Sequence, residues 1–395
     1  MSQSRPNLFG PAAVLLIAMG IVAPLASANA AGPSQVAVHR RETWPDAIDS
    51  SGAFDRRSRA EELVFARALA ESENLTVPEL KAQLDVDVVD MPSVERVRRR
   101  LWRILAANYA IAIEGCGISG VFCPVNTEAQ DLRNAALALS ESSVDERYRP
   151  WLYDAIKFHK IYLRELLRLA ALFPRVSSEI DVYNDRELQG WELADRQFVL
   201  TFDDGPSEVM GSGADTTIQL IEWLRRSGIN GIFFVLGERM RARAQTTSVR
   251  TLDDLYAGMC VGSHGWSHYP HTTWPQWQES VVRSLALVGA TVPNSRVALF
   301  RPPYGQRLPG SGVFFAAQNL KVVLWNIDSQ DWQSGLTPAE IERRVFALML
   351  LWRRGVILFH DTDAKARVVM VDLIKRPAVD FIKWLDCRRV AAETR

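Results

Sequence analysis

Along this chain the spacing of apolar residues changes once. From about Trp44 to Phe173 they recur at intervals of three and four, as in RSRAEELVFARALAESE, which predicts amphipathic helices. LTVPELKAQL offers Thr76 as an N-cap with Glu79 three residues on, a capping box. PSVERVRRRLWRILAANYAIAI and PWLYDAIKFHKIYLRELLRLAALF predict two longer helices. Their Arg-rich faces read as solvated surfaces, and the lone His159 as a packing or surface residue rather than a ligand. After Pro174 the rhythm shortens. FVLTF, GIFFVL, MCVGS, RVALF, KVVLWNI and GVILFH are strand-like runs, separated by helical stretches such as DTTIQLIEWLRRSG and PAEIERRVFALMLLWRR. Alternating strands and helices predict βα units on a parallel sheet, either an incomplete barrel or an open doubly wound sheet.

Three segments follow from this pattern: a leader over 1–30, a helical accessory domain over 31–180, and an α/β catalytic domain over 181–395. The leader carries an apolar run ending in the small-residue signal Ala28-Asn29-Ala30. The run is shorter than the roughly 20 residues a membrane span needs. It predicts a cleaved secretory signal, no stable membrane span after cleavage, and a secreted or periplasmic mature protein. That compartment favours a disulfide between Cys116 and Cys123 across a Gly-rich loop. Cys260 and Cys387, in apolar surroundings, read as small buried hydrophobes. The 395 residues are 48% hydrophobic and 23% charged with zero formal net charge, so no basic footprint points to nucleic acid.

Chemistry gathers where the strands end. Asp203 and Asp204 close FVLTFDD; His264 and His268 follow MCVGS; Arg301 and Tyr304 follow RVALF; Asp328, Asp331 and Trp332 follow KVVLWNI; His360 and Asp361 close GVILFH. In parallel α/β folds these ends share one face, and sites form there. Histidines four apart can share a metal, and an aspartate oxygen would complete a three-ligand catalytic site with a position open for water. Neither a G-x-G-x-x-G phosphate loop nor a G-x-S-x-G serine elbow occurs at a strand end.

TFDDGP, RPPYG and LFHD in combination resemble the polysaccharide deacetylase family, carbohydrate esterase family 4 or NodB homology domain, over about Asp195 to Cys387. The resemblance implies a distorted, incomplete (β/α) barrel. It implies a divalent metal, Zn²⁺ before Co²⁺, Ni²⁺ or Mn²⁺, on Asp204, His264 and His268, with Asp203 as general base oriented by Arg301. It further implies His360 as general acid tuned by Asp331, an oxyanion contact from the Tyr304 backbone N–H, and an acetyl pocket of Trp332 and Leu358. One departure stands out: Gly265 follows the first histidine, where the family usually carries a hydroxyl residue that braces the loop. His271 reads as a loop histidine before an extra ligand, and Trp266, Trp274 and Trp277 as sugar-stacking faces or packing.

The expected partner is an acetylated polysaccharide, N-acetylated before O-acetylated. Peptidoglycan, chitin-like oligomers, poly-N-acetylglucosamine and acetylated xylan all stay open, as does the oligomeric state. The competing readings are a hydrolase of another amide on the same scaffold and a catalytically silent carbohydrate-binding protein.

Overall fold

The computed structural model describes residues 33, 35–116, 122–123, 129–174, 181–208 and 215–392; the leader over 1–30 lies outside them. Five helices come first: α1 (Ser51–Glu73), α2 (Val77–Leu84), α3 (Met91–Ala112), α4 (Ala129–Ala138) and α5 (Arg149–Leu172). The Thr76–Glu79 capping box forms as the sequence predicts. Strands and helices then alternate: β1 (Glu187–Leu188), β2 (Gln197–Asp203), α6 (Thr216–Arg226), β3 (Ile232–Val235), α7 (Gly237–Thr246), α8 (Val249–Leu255), β4 (Cys260–Ser263), α9 (Trp277–Thr291), β5 (Arg296–Phe300) and α10 (Ser311–Ala317). The chain continues through β6 (Lys321–Val323), β7 (Ile327–Asp328), α11 (Pro338–Trp352), β8 (Gly355–His360), α12 (Lys365–Ile374), β9 (Lys383–Trp384) and α13 (Cys387–Ala392).

The strands form one sheet in the order β1-β6-β5-β4-β3-β2-β8-β7, with β9 beside the start of β2. Every pair is parallel. β1 and β7 do not pair with each other, so the curled sheet is an incomplete barrel, as the sequence predicts. Alternate residues divide between two cores, as a period of two requires. Val199, Ile232, Phe234, Leu299, Val323, Val356 and Leu358 form an inner cluster with Cys387 and Val390 of α13. Phe198, Leu200, Phe202, Phe233, Val235, Ile357 and Phe359 turn outward into a larger core.

That outer core is continuous with the helical region. α11 has Val345, Leu348, Leu351 and Trp352 all fully buried, the pattern of a helix covered on every side. The sheet covers one side and the helical layer another. Ser58 Oγ donates to the Leu350 carbonyl (2.7 Å), Asn108 Nδ2 to the Trp352 carbonyl (3.1 Å), and the Trp352 indole N–H to the Tyr162 hydroxyl (2.9 Å). Several arginines expected on solvated helix faces are buried instead. Arg57 pairs with Glu61, Arg59 donates to the Ala112 carbonyl, and Arg98 to the Ser72 carbonyl. They are inside because each caps or bridges a backbone or carboxylate that the packed helices would otherwise leave unpaired. His159 is fully buried against Glu61 (2.6 Å).

The Cys116–Cys123 disulfide is present. Cys260 and Cys387, read from the sequence as separate hydrophobes, are also joined. Both are buried as expected, but the fold brings β4 and α13 together at the inner core, with a Cα–Cα distance of 6.0 Å. Among the described residues no helix is long and apolar enough to cross a membrane.

Candidate active site

Parallel register stacks the polar strand ends on one rim. Asp203 lies opposite both Phe234 and His360, while Ser263 lies opposite Val235 and Phe300. Asp203 therefore ends its strand next to His360, and His264 follows directly after β4, two strands away across β3.

Asp203 is buried, and burial pushes its carboxyl up to about 6 against the pull of Arg301. Arg301 is itself fully buried and has little freedom. Its Nη1 donates to Asp203 Oδ1 and to Thr201 Oγ1, its Nε to the Val323 carbonyl and its Nη2 to the Leu324 carbonyl, all at 2.8 Å. The Arg301 carbonyl accepts from His264 Nδ1 at 2.7 Å. One residue thus orients the candidate base with its side chain and a candidate ligand with its backbone. Because Nδ1 carries the donated hydrogen, the lone pair of His264 is on Nε2.

That Nε2 lies 3.5 Å from Asp204 Oδ1, and His268 Nε2 lies 3.6 Å from the same oxygen. Asp204, at φ 72, turns its carboxylate out of the strand line, and Oδ1 is buried with no hydrogen-bond partner. Burial lowers both imidazoles to about 4, which keeps them neutral, the form that binds metal. Asp204, His264 and His268 offer three ligand atoms within 4.8 Å of one another, the only such group among the described residues. An orphaned carboxylate oxygen facing two neutral Nε2 atoms fits a divalent metal with N and O ligands.

Across the rim, Asp331 holds His360 at two points. Its Oδ1 accepts from the ring Nδ1 (2.7 Å) and its Oδ2 from the backbone N–H (2.9 Å). Burial works against charge on this ring, but Asp331, with Asp204 and Asp203 behind it, reverses that effect and raises the imidazole to about 10. Tyr304, in the left-handed region at φ 59, sets its ring 4.3 Å from that of His268. Leu358 points into the inner core, whereas Trp332 is 49% exposed at the rim.

Gly265 has a local explanation. Its φ is +86, and an added Cβ would sit 3.1 Å from Ser280 Oγ. The loop is braced by neighbouring hydroxyls instead. Ser263 Oγ accepts the Gly265 N–H (3.1 Å) and donates to Ser284 Oγ (2.9 Å), and Ser280 Oγ accepts the Trp266 N–H (2.7 Å). The tryptophans read as sugar-stacking faces are engaged in packing. The Arg283 guanidinium lies 3.9 Å from the Trp266 ring centre, and Trp277 is buried against Phe314 and Phe315. Trp274 is half-buried against Tyr269. His271 is buried, stacked on Phe300.

Sequence reasoning assigned no role to several residues. Thr201 links Arg301 to the Ile357 carbonyl. Asp361 is fully buried, accepts from Thr217 Oγ1 (2.7 Å), and is raised by burial to about 7. A Cβ at Gly205 would collide with the Asp361 carboxylate. Only Asp361 carried a sequence signal, through its place beside His360.

Residues 192–321 match the model of the family described as polysaccharide deacetylase. Over 184 residues the chain is 34% identical to the peptidoglycan-N-acetylmuramic acid deacetylase PdaC of Bacillus subtilis, covering 45% of this chain and 35% of that protein. It is 33% identical over 168 residues to a bifunctional xylanase/xylan deacetylase of Cellvibrio japonicus, covering 41% and 22%. The chain thus spans well under two thirds of the length of these relatives. The solved structure of PdaC aligns at 26% identity with a TM-score of 0.40, over 51% of this chain and 91% of that one.

Proposed function

We propose that this protein is a metal-dependent hydrolase that removes acetyl groups from N-acetylated polysaccharide outside the cytoplasm. The observation that carries the reading is the orphaned Asp204 Oδ1 facing two neutral histidine nitrogens, one residue from a carboxylate that Arg301 holds in place. Asp204, His264 and His268 would hold the metal, Zn²⁺ by ligand type, which supplies Lewis-acid polarisation of the acetyl carbonyl and acidifies the attacking water. Asp203 takes a proton from that water as it adds to the carbonyl carbon. Its pKa of about 6 leaves it mostly ionised at neutral pH, ready to accept. The Tyr304 N–H faces the negative charge that develops on the former carbonyl oxygen. His360, held protonated by Asp331, gives its Nε2 proton to the sugar nitrogen as the C–N bond breaks, so acetate and a free amine leave. Leu358 and Trp332 line the space for the acetyl methyl group. An extracytoplasmic site is supported by the two disulfides.

The test is acetate release from peptidoglycan, chitin oligomers and acetylated xylan by the purified protein, after chelation, and after Zn²⁺ is restored. Chelator-sensitive release that Asp203→Asn abolishes is expected. No acetate from any glycan with metal bound would overturn the reading.

A further inference from the structure

We infer that Arg344, on α11, is a positioning residue for the reaction proposed above, and that it ties the helical layer to the general acid. This rests on the deacetylase reading for its kinetic consequence, but its geometry is independent of it. Arg344 is fully buried, and its donors go in two directions. Toward the helical layer, Nη2 and Nη1 donate to Glu165 Oε2 (2.7 Å) and Oε1 (3.0 Å) on α5, and Nη1 also to the Ala37 carbonyl (2.9 Å). Glu165 Oε1 closes the ring by accepting the Ala37 N–H at 2.6 Å. Toward the rim, Nε donates to the carbonyl of Asp328, the last residue of β7 (2.9 Å).

From Asp328 the chain turns directly into the residue that holds the general acid. The Asp328 carboxylate accepts from the backbone and side-chain N–H groups of Gln330 (2.8 and 2.9 Å), fixing that residue at a left-handed φ of 59. The Ser329 N–H donates to the Leu358 carbonyl (3.2 Å), and its hydroxyl accepts the Asp331 N–H (3.3 Å). Asp331 then grips His360 at its ring and its backbone. A strand end of only two residues cannot fix this turn by ladder bonds alone. The guanidinium supplies the fixed point, and its own position is set by a carboxylate of a different layer. A displacement of the turn by a fraction of an ångström changes the line from His360 Nε2 to the departing nitrogen, to which proton transfer is sensitive.

Arg344→Lys keeps the charge beside Glu165 but cannot reach both Glu165 and the Asp328 carbonyl with a rigid fork. Arg353→Lys is the control, because the Arg353 side chain is equally buried but bonds Asp55, Ser58 and Asp195, at the ends of β2 and β8 away from the rim. The expected result for Arg344→Lys is a fall in kcat of about tenfold or more with KM held within about twofold. Combined with Asp331→Asn, it should cost no more than Asp331→Asn alone, since both act through one histidine. Arg353→Lys should lower the unfolding midpoint by a similar amount and leave kcat unchanged. The low-field proton signal of His360 Nδ1–H gives a readout free of activity, and it should shift in Arg344→Lys but not in Arg353→Lys. Equal kcat losses in the two variants, or additive losses with Asp331→Asn, would overturn the inference. If the wild-type protein releases no acetate, the deacetylase reading fails by itself. The proton signal then decides, and an unmoved resonance in Arg344→Lys would sink the positioning role.

Discussion

Buried charge is handled in two ways in this molecule. Between the helical layer and α11 most of it is paired, although Glu62, beside Ser58 and Arg353, keeps one oxygen without a partner and is raised by burial well above an ordinary carboxylate. Glu165 and Arg344 saturate one another, and Arg353 lies between Asp55, Asp195 and Ser58. At the strand-end rim it is left open. Asp204 Oδ1 and Asp361 Oδ1 are buried without partners, Asp203 and Asp361 are raised far above ordinary carboxylates, and two imidazoles are held neutral. Leaving such groups unpaired costs free energy that folding alone gives no reason to spend. An isolated open oxygen, as on Glu62, is a cost of packing, whereas at the rim the open carboxylate and the neutral imidazoles converge within 4.8 Å, and that convergence marks the place where something else is meant to bind.

Mutation should separate the two kinds. Asp204→Ala should abolish metal binding and cut activity by at least about 10³-fold, about 4 kcal/mol of transition-state stabilisation. Elemental analysis and acetate assays measure this, and the apo protein's unfolding midpoint should hold or rise because an unpaired buried carboxylate is gone. Arg353→Met should do the reverse. It strands Asp55 and Asp195, costing about 3–5 kcal/mol in denaturant unfolding while kcat of the folded enzyme stays the same. A large kcat loss there would erase the distinction.

Asp331→Asn sharpens the comparison in pH. The raised His360 keeps its proton across the neutral range; its stabilising contribution is complete below the ordinary value of 6.5 and is lost as pH rises through about 10. Without the Asp331 charge the ring should lose its proton earlier, moving the alkaline limb of kcat/KM down by more than one pH unit. The smallest effect is expected at Gly265→Ala, where φ +86 and the nearby Ser280 hydroxyl cost about 1 kcal/mol and weaken Zn²⁺ binding modestly.

The open charge was legible in the sequence and the completed charge was not, for a physical reason. Period-two runs and polar strand ends are local signals, so Asp203, Asp204, His264, Arg301, Asp331 and His360 could be placed on one rim before any coordinates. Arg57, Arg98 and Arg344 look in sequence like any arginine on a helix; only the packing of distant elements makes them interior. The Cys260–Cys387 pairing spans 127 residues and likewise needs the fold to bring its ends together. Gly265 read as a sign that the loop is braced differently, but not by what; Ser263, Ser280 and Ser284 supply the bracing from a strand and from one face of α9.

The all-round burial of α11 bears on how this protein can be handled. A chain trimmed to the strand-bearing half, from about Asp195 onward, would strip the helical layer from Leu348, Leu351 and Trp352 and leave Arg344 without its counter-charge. The shortened protein would display a broad oily face and self-associate on expression. The shortest soluble form should therefore reach back to the residues around Ala37, well before the first strand.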